Sequence, residues 1–424
     1  PEQSPQQGIP EVRPPWPHRD NLQISAVRPI VTAPEGIPLV VVLVETSEPG
    51  LTGLGCATFT QRWRAVAGAV EHLVPLAVGR HPGDIEDITR LVRFSSYWRG
   101  GPVLENALSG LDMALWDIAG KRAGLPVHDL VGGRMRAGVP LYAHAAAGTI
   151  EETIEKAQAL VAAGYRYVRL QAGQPGIGSY GAPGSAGGYP RSPHPDGWDV
   201  RRYLAQTPHL FARAREVLGD DIELLHDVHN RLTPKEAIVL CRALEPYRLY
   251  FVEDVVAPEY FARLPEIRAA SPVPIAVGEL LTSPTQAADL ILAGGIDLLR
   301  AHISAIGGFT PARKLSALCE FTGVRTAWHG PADVSPVGVA ANVTLDVTTP
   351  AFGVQESHDY PEKVHAVFPG TPSIENGHIV PSTEAGWGVS IDLTEAGKYP
   401  PDDQPRHDRW SAQVRRPDGG IEAP

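Results

Sequence analysis

The chain has 424 residues, 43% hydrophobic and 20% charged, the composition of a folded globular protein with room for more than one domain. Its net charge of -11 comes without a basic stripe or polybasic run, which argues against nucleic acid and an anionic membrane as partners. The longest apolar run, Pro38 to Val44, is too short for a bilayer. Cys56, Cys241 and Cys319 are far apart with no CxxC spacing, so they read as thiols of a reducing compartment. With no signal-peptide pattern at the start, the expected location is the cytoplasm.

Residues 1–21 are rich in Pro and Gln and predict a poorly ordered arm. From Asn21 to Phe59 the pattern turns to strands: LQISAVRPIV, PLVVVLVET and GLGCATF, separated by Pro/Gly turns. Helical periodicity follows over 64–78, 84–94 and 102–123. In the last of these, Pro102 suits a first turn, Val103, Ala107, Leu111, Ala114, Leu115 and Ile118 share one face, and Gly124 stops the helix. Strands followed by helices predict a compact α+β domain over residues 22–135.

Over residues 136–360, eight short apolar segments each carry a polar residue at or near the end. Those residues are His144, Arg169, Asp227, Glu253, Glu279, Arg300, His329 and Glu356. The steps from Asp227 to Glu253 and from Glu253 to Glu279 are both 26 residues, about one strand, one helix and two loops. This predicts a barrel of alternating strands and helices, whose chemistry lies at the carboxyl ends of the strands. One interval is longer: 58 residues separate Arg169 from Asp227, and much of the excess is a Gly/Pro-rich stretch at 174–198 that reads as a lid. Residues 361–424 are polar and proline-rich and are expected to pack back on the first domain.

Asp227, Glu253 and Glu279 fall at three successive strand ends and would project into one mouth. A lone strand-end acid is as easily a helix cap or an ion-pair partner. Three at equal spacing point to a site for Mg²⁺, a hard cation that takes oxygen ligands. Such an ion can bind a substrate carboxylate and stabilise the ene-diolate formed when its α-proton leaves.

Over roughly Leu22 to Tyr399 the chain resembles the enolase superfamily, most closely its D-mannonate dehydratase group. The resemblance rests on YWRGGP at 97–102, LDMALWDIAGKRAG at 111–124, HDVHNRLTP at 226–234, WHGPADVSP at 328–336 and FGVQE at 352–356. It implies a (β/α)₇β barrel of TIM type under an N-terminal α+β capping domain, Mg²⁺, and dehydration of an acid sugar to a 2-keto-3-deoxy acid. A homo-oligomer such as an octamer is also implied.

Many relatives take the α-proton with a lysine on the second strand, but here that strand reads VRLQ, with Arg169. A histidine on the seventh strand oriented by an aspartate on the sixth is another base, but the sixth strand here offers Arg300 and His302. Tyr180, eleven positions after Arg169, resembles the family's Tyr–Arg pair and becomes the expected base, with Arg169 favouring the tyrosinate. His229, on the same strand face as Asp227 by period two, is the expected acid for the departing 3-hydroxyl. His144, Arg300, His329, Asp333 and Glu356 are read as substrate holders, and His226 and His302 as core or supporting histidines. Pro38 stands where the family often has a substrate-reaching Asn, and Pro331 where many members carry Ala. D-Mannonate and D-gluconate lead the expected substrates. The alternatives are a dehydratase or racemase of another acid sugar, or a weakly catalytic metal-binding paralogue acting as a sensor.

Overall fold

The computed structural model describes residues 16, 18, 20–174, 197–402, 414–416, 418 and 420–422. Its first domain grows from a three-stranded antiparallel sheet of β1 (Ile24–Thr32), β2 (Leu39–Thr46) and β3 (Thr52–Cys56), with β2 in the centre. β2 is buried along almost its whole length, which accounts for a continuous β-branched run instead of alternation. The helices α1 (Trp63–Ala77), α2 (Ile85–Phe94) and α3 (Pro102–Ala123) follow, each within one residue of the limits expected from the sequence. α3 ends at Gly124, whose φ of 66° places it in the left-handed region and lets its N–H bond back to the last turn. α3 lies directly on β3. A Cβ at Gly55 would fall 1.9 Å from the Gly110 carbonyl oxygen, and one at Gly53 2.0 Å from that of Ala114. Only glycine allows this approach.

After α4 (Val127–Leu130), strands and helices alternate: β4 (Val139–Ala147), α5 (Ile150–Ala162), β5 (Tyr167–Ala172), α6 (Val200–Leu218), β6 (Glu223–Asp227), α7 (Pro234–Leu244), β7 (Phe251–Glu253) and α8 (Leu264–Ala270). The series continues through β8 (Ile275–Val277), α9 (Pro284–Leu292), β9 (Leu298–Leu299), α10 (Phe309–Thr322), β10 (Arg325–Thr326), α11 (Pro336–Thr348) and β11 (Gln355–Glu356). Seven strand–helix units and a final strand make the (β/α)₇β pattern. Consecutive strands from β4 to β10 pair in parallel. Phe352 bridges Thr326, and β11 pairs in parallel with β4, so the wall runs round to its first strand. Local signals start the helices. Thr149 and Thr233 form capping boxes with Glu152 and Glu236, and the Ser335 hydroxyl accepts from the Gly338 N–H.

The C-terminal segment carries α12 (Glu362–Val367), β12 (Ile374–Glu375), β13 (His378–Ile379) and α13 (Leu393–Ala396). β13 pairs antiparallel with the start of β4. The Trp387 Nε1–H donates to the Met113 carbonyl in α3, and its N–H donates to Asp117. The Ala33 N–H donates to the Tyr399 carbonyl. Cys56, Cys241 and Cys319 are buried free thiols, and no helix among the described residues is long and apolar enough to cross a membrane.

Candidate active site

Inside the barrel, Tyr142, Leu225, Phe251, Ala276, Leu298, Ala327 and Val354 form one apolar cluster, with Tyr167 packed against it. Two residues further along the same strands lie His144, Asp227, Glu253, Gly278, Arg300, His329, Glu356 and Arg169. In a strand i and i+2 face the same side, so an apolar layer is followed directly by a charged one at the mouth.

Arg169 and Arg300 organise that layer. Arg169 Nη1 bonds closely to Glu253 and lies 3.3 Å from Glu356 Oε1 and 3.5 Å from Asp227 Oδ2. Its Nη2 donates to His144 Nδ1 at 3.1 Å, which places the imidazole proton on Nε2, 2.8 Å from Glu356 Oε1. Arg300 is fully buried. Its Nε lies 3.0 Å from both Glu253 Oε2 and the Tyr142 hydroxyl, its Nη1 2.8 Å from Asp254 Oδ2, and its Nη2 2.7 Å from Glu356 Oε2. The Tyr142 hydroxyl in turn donates to Glu253 at 3.2 Å.

Protonation follows from these contacts. Burial and then the Arg169 charge push His144 below the usual imidazole range, keeping it neutral. Burial would lower His329 too, but Glu279, Asp333 and Glu356 override it and hold the imidazole well above its ordinary range. Its Nε2 lies 3.3 Å from Asp333 and its Nδ1 3.2 Å from Glu356. Burial raises Glu253 to about 8 despite Arg300 and Arg169, because Asp227 and Glu356 crowd it. Asp254 is raised to about 7, again chiefly by burial. Asp227 is lowered: burial opposes its charge, but Arg169 and His229 outweigh burial.

Two features depart from the period-two reading. His229 is not on strand β6, which ends at Asp227; it sits in a left-handed turn with φ of 56°, followed by Asn230 at 55°. The turn brings its N–H onto Asp227 Oδ1 at 2.6 Å and its Nδ1 to 3.6 Å from Asp227 Oδ2. Glu279 lies one residue beyond the charged layer. Gly278 takes that place because a Cβ there would fall 2.5 Å from the Ala301 nitrogen. Glu279 is therefore less enclosed, with Arg300 Nη1 at 3.6 Å and His329 Nδ1 at 3.7 Å.

Three further residues belong to the cluster. Asp254 follows Glu253 in a turn with φ of 45° and fixes Arg300. Gln171, two residues past Arg169, donates to Asp227 Oδ2 at 3.3 Å. Tyr142, two residues before His144, bridges Glu253 and Arg300. His226 bonds Tyr203 and the Leu170 carbonyl behind the wall, as befits a supporting histidine. Tyr180 lies outside the described residues.

The mouth therefore holds six carboxyl groups, Asp227, Glu253, Asp254, Glu279, Asp333 and Glu356, against the guanidiniums of Arg169 and Arg300 and the protonated His329, and burial with this crowding is what raises Glu253 and Asp254. Buried charge of one sign requires a counter-charge. A divalent cation held by Asp227, Glu253 and Glu279, the three acids expected from the sequence, would supply it, and an all-oxygen donor set suits Mg²⁺. Two clusters among the described residues have their ligand atoms close enough together for one ion, His18, His81 and Asp84 in the first domain and His302, His329 and Asp333 at the mouth, and the second fits poorly. His302 Nδ1 accepts the Ser304 N–H at 3.2 Å, which puts the ring proton on Nε2 and leaves no lone pair there.

Comparison with known proteins agrees with this architecture. Residues 12–132 match the mandelate racemase / muconate lactonizing enzyme N-terminal domain family, and residues 152–396 match the enolase C-terminal domain-like family. A D-galactonate dehydratase family member from Catenulispora acidiphila is 66% identical over 99% of this chain and 98% of its own length. One from Streptomyces sp. (strain SPB074) is 47% identical over 96% of this chain and 92% of its own. The crystal structure of an enolase from Pantoea ananatis with bound D-gluconate and Mg superposes with a TM-score of 0.89 at 44% identity, covering 95% of this chain and all of that one. With both domains matched and full-length relatives at this identity, the chain belongs to the enolase superfamily and, within it, to the D-galactonate dehydratase family.

Proposed function

We propose that the protein is a Mg²⁺-dependent dehydratase that removes water from an aldonate, D-gluconate or D-mannonate, to give a 2-keto-3-deoxy acid. The observation that carries this reading is the excess of carboxylates at the strand ends, with Glu279 the least committed of them. The relative bound to D-gluconate and Mg supports it, as do the family's aldonate dehydratase names.

Asp227, Glu253 and Glu279 would hold the ion. When bound, Mg²⁺ supplies positive charge to the substrate carboxylate as electron density builds there on loss of the C2 proton. Tyr180 takes that proton, with Arg169 lowering the cost of the tyrosinate. His229, held beside Asp227 by its left-handed turn, returns a proton to the departing 3-hydroxyl. Neutral His144, protonated His329, Asp333 and Glu356 hold the substrate's polar groups. Arg300 works as an internal strut: its buried guanidinium keeps Glu253, Asp254 and Glu356 in place, so it reaches substrate only through them.

A screen of aldonic and aldaric acids with Mg²⁺, read as 2-keto-3-deoxy product, tests the proposal. One acid should be dehydrated, with activity lost on adding EDTA and in His229→Ala. A second reading, a metal-binding sensor with little catalysis, draws on Pro38 and on Pro331, which adjoins Gly330, a donor to Glu356. Thermal stabilisation by an acid sugar, with no product from any, would favour that reading. Under either reading we take the protein to self-associate.

A further inference from the structure

Asp84 stands where a residue would cap α2, yet its carboxylate makes no bond to the first N–H groups of that helix. It faces the segment before β1 instead. Its Oδ2 lies 2.8 Å from His18 Nε2, and its Oδ1 accepts from Trp16 Nε1–H at 3.2 Å. His18 stacks on His81, with ring centres 3.6 Å apart and planes 9° from parallel. His81, three residues before Asp84, is buried, and its Nε2 lies 2.9 Å from Asp20 Oδ1. Asp20 also pairs with Arg122 at the end of α3. One nitrogen of each imidazole and one Asp84 oxygen lie within 4.8 Å of one another.

We infer that His18, His81 and Asp84 form a metal site of their own, for a borderline divalent cation such as Zn²⁺. Two imidazoles and one carboxylate are donors that Zn²⁺ takes, with water as the fourth ligand, whereas Mg²⁺ takes oxygen alone. The outer bonds prepare these ligands. Asp20 can only accept, so the His81 proton is on Nε2 and the lone pair on Nδ1, and a carboxylate behind a histidine orients it for an ion. Trp16 engages Asp84 Oδ1 and leaves Oδ2 for the ion. Without an ion, the His81 lone pair accepts the Gly83 N–H at 3.0 Å. Gly83 is exposed, so its N–H can turn to water when an ion takes the lone pair. The Ser304 N–H on His302 has no such exit, because Ser304 is fully buried. His18 donates from Nε2 to Asp84, and binds an ion there as the other tautomer, with its proton on Nδ1. Its ring must tilt out of the stack to do so, and it is the outer of the two, 20% exposed against 8% for His81. The ion ties the segment carrying Trp16, His18 and Asp20 to the start of α2, and it is independent of the chemistry at the barrel mouth.

Calorimetric titration of Zn²⁺ into the full chain in excess Mg²⁺ tests the site, with Glu279→Gln run beside the wild type to separate it from the mouth. Both proteins should bind one Zn²⁺ that Mg²⁺ does not displace. Asp20→Asn should weaken that binding by roughly 10–100-fold, and His18→Ala, His81→Ala and Asp84→Asn should each weaken it further. Far-UV circular dichroism should stay unchanged throughout. If His81→Ala fails to fold, His18→Ala still decides, because His18 lies before β1 and outside the packed core. A wild type that takes up no Zn²⁺ in excess Mg²⁺ overturns the site. Zn²⁺ binding that survives His18→Ala overturns it too, and if the same binding is lost in Glu279→Gln the ion belongs to the mouth.

Discussion

Two layers of the barrel interior, one residue pair apart on the same strands, follow opposite rules. The lower layer, with Tyr142, Leu225, Phe251, Leu298, Ala327 and Val354, is apolar and is held by contact area. The upper layer, with His144, Asp227, Glu253, Arg300, His329 and Glu356, is equally buried apart from His144, but its members are held by charge and hydrogen bonds that depend on one another. In the lower layer, the Tyr142 hydroxyl aside, losing a side chain costs contact area and leaves a cavity but no unpaired buried charge. In the upper, removing one partner leaves others buried and uncompensated, so the layer keeps its arrangement only while all its members are present.

The largest effect that would sharpen this contrast is Arg300→Met. Loss of the guanidinium from among Glu253, Asp254 and Glu356 should cost about 3–5 kcal/mol in urea unfolding and abolish turnover. A loss below about 1 kcal/mol would break the comparison. Phe251→Ala, one layer down, should cost about 3–4 kcal/mol by leaving a cavity, but the protein that still folds should keep Mg²⁺-dependent stabilisation. Saturating Mg²⁺, near 100 times its dissociation constant, should stabilise the wild type by about 2.7 kcal/mol, and Glu279→Gln should lose most of that gain while unfolding like the wild type without metal. Tyr142→Phe, which removes one hydroxyl between Glu253 and Arg300, should cost about 1–2 kcal/mol.

A further effect, read across pH and not as a single loss, concerns a buried carboxylate outside the mouth. Asp112, in α3, accepts from the Thr310 N–H, and burial raises it to about 7. Its folded pKa exceeds its unfolded one, so the folded state binds the extra proton, and stability from this group is full below about pH 4 and falls as pH rises towards 7. Asp112→Asn should remove a slope of up to about 1.4 kcal/mol per pH unit from that window in a pH series of unfolding curves. An unchanged slope would show that Asp112 titrates alike in both states.

Much of the site was legible because strand spacing and strand-end chemistry are one-dimensional signals. Asp227, Glu253 and Glu356 could be placed by counting, since a buried parallel strand must close on its functional residue. The supporting residues carried no such signal. Tyr142 reads as one more core aromatic, and only its neighbours reveal a hydroxyl between an acid and a guanidinium. Asp254 belongs to a turn with φ of 45°, a conformation that a run of strand residues does not predict. Period two carried His229 to the right neighbourhood for the wrong local reason, because the strand stops at Asp227 and the turn completes the approach. Arg300 was visible as a strand-end cation, but only the contacts show how many acids share it.

The stitching of the C-terminal segment into the first domain bears on how the chain is made. Asp117 in α3 accepts from the N–H of Trp387, 270 residues later, and β1's Thr32 hydroxyl donates to the carbonyl of Ala396. A ribosome adding about 5–20 residues per second leaves α3 waiting roughly 15–50 seconds for those partners. During that interval the buried Asp117 and the backbone it should satisfy remain open to water and to other chains. The capping domain is therefore synthesised before the barrel and completed only after it.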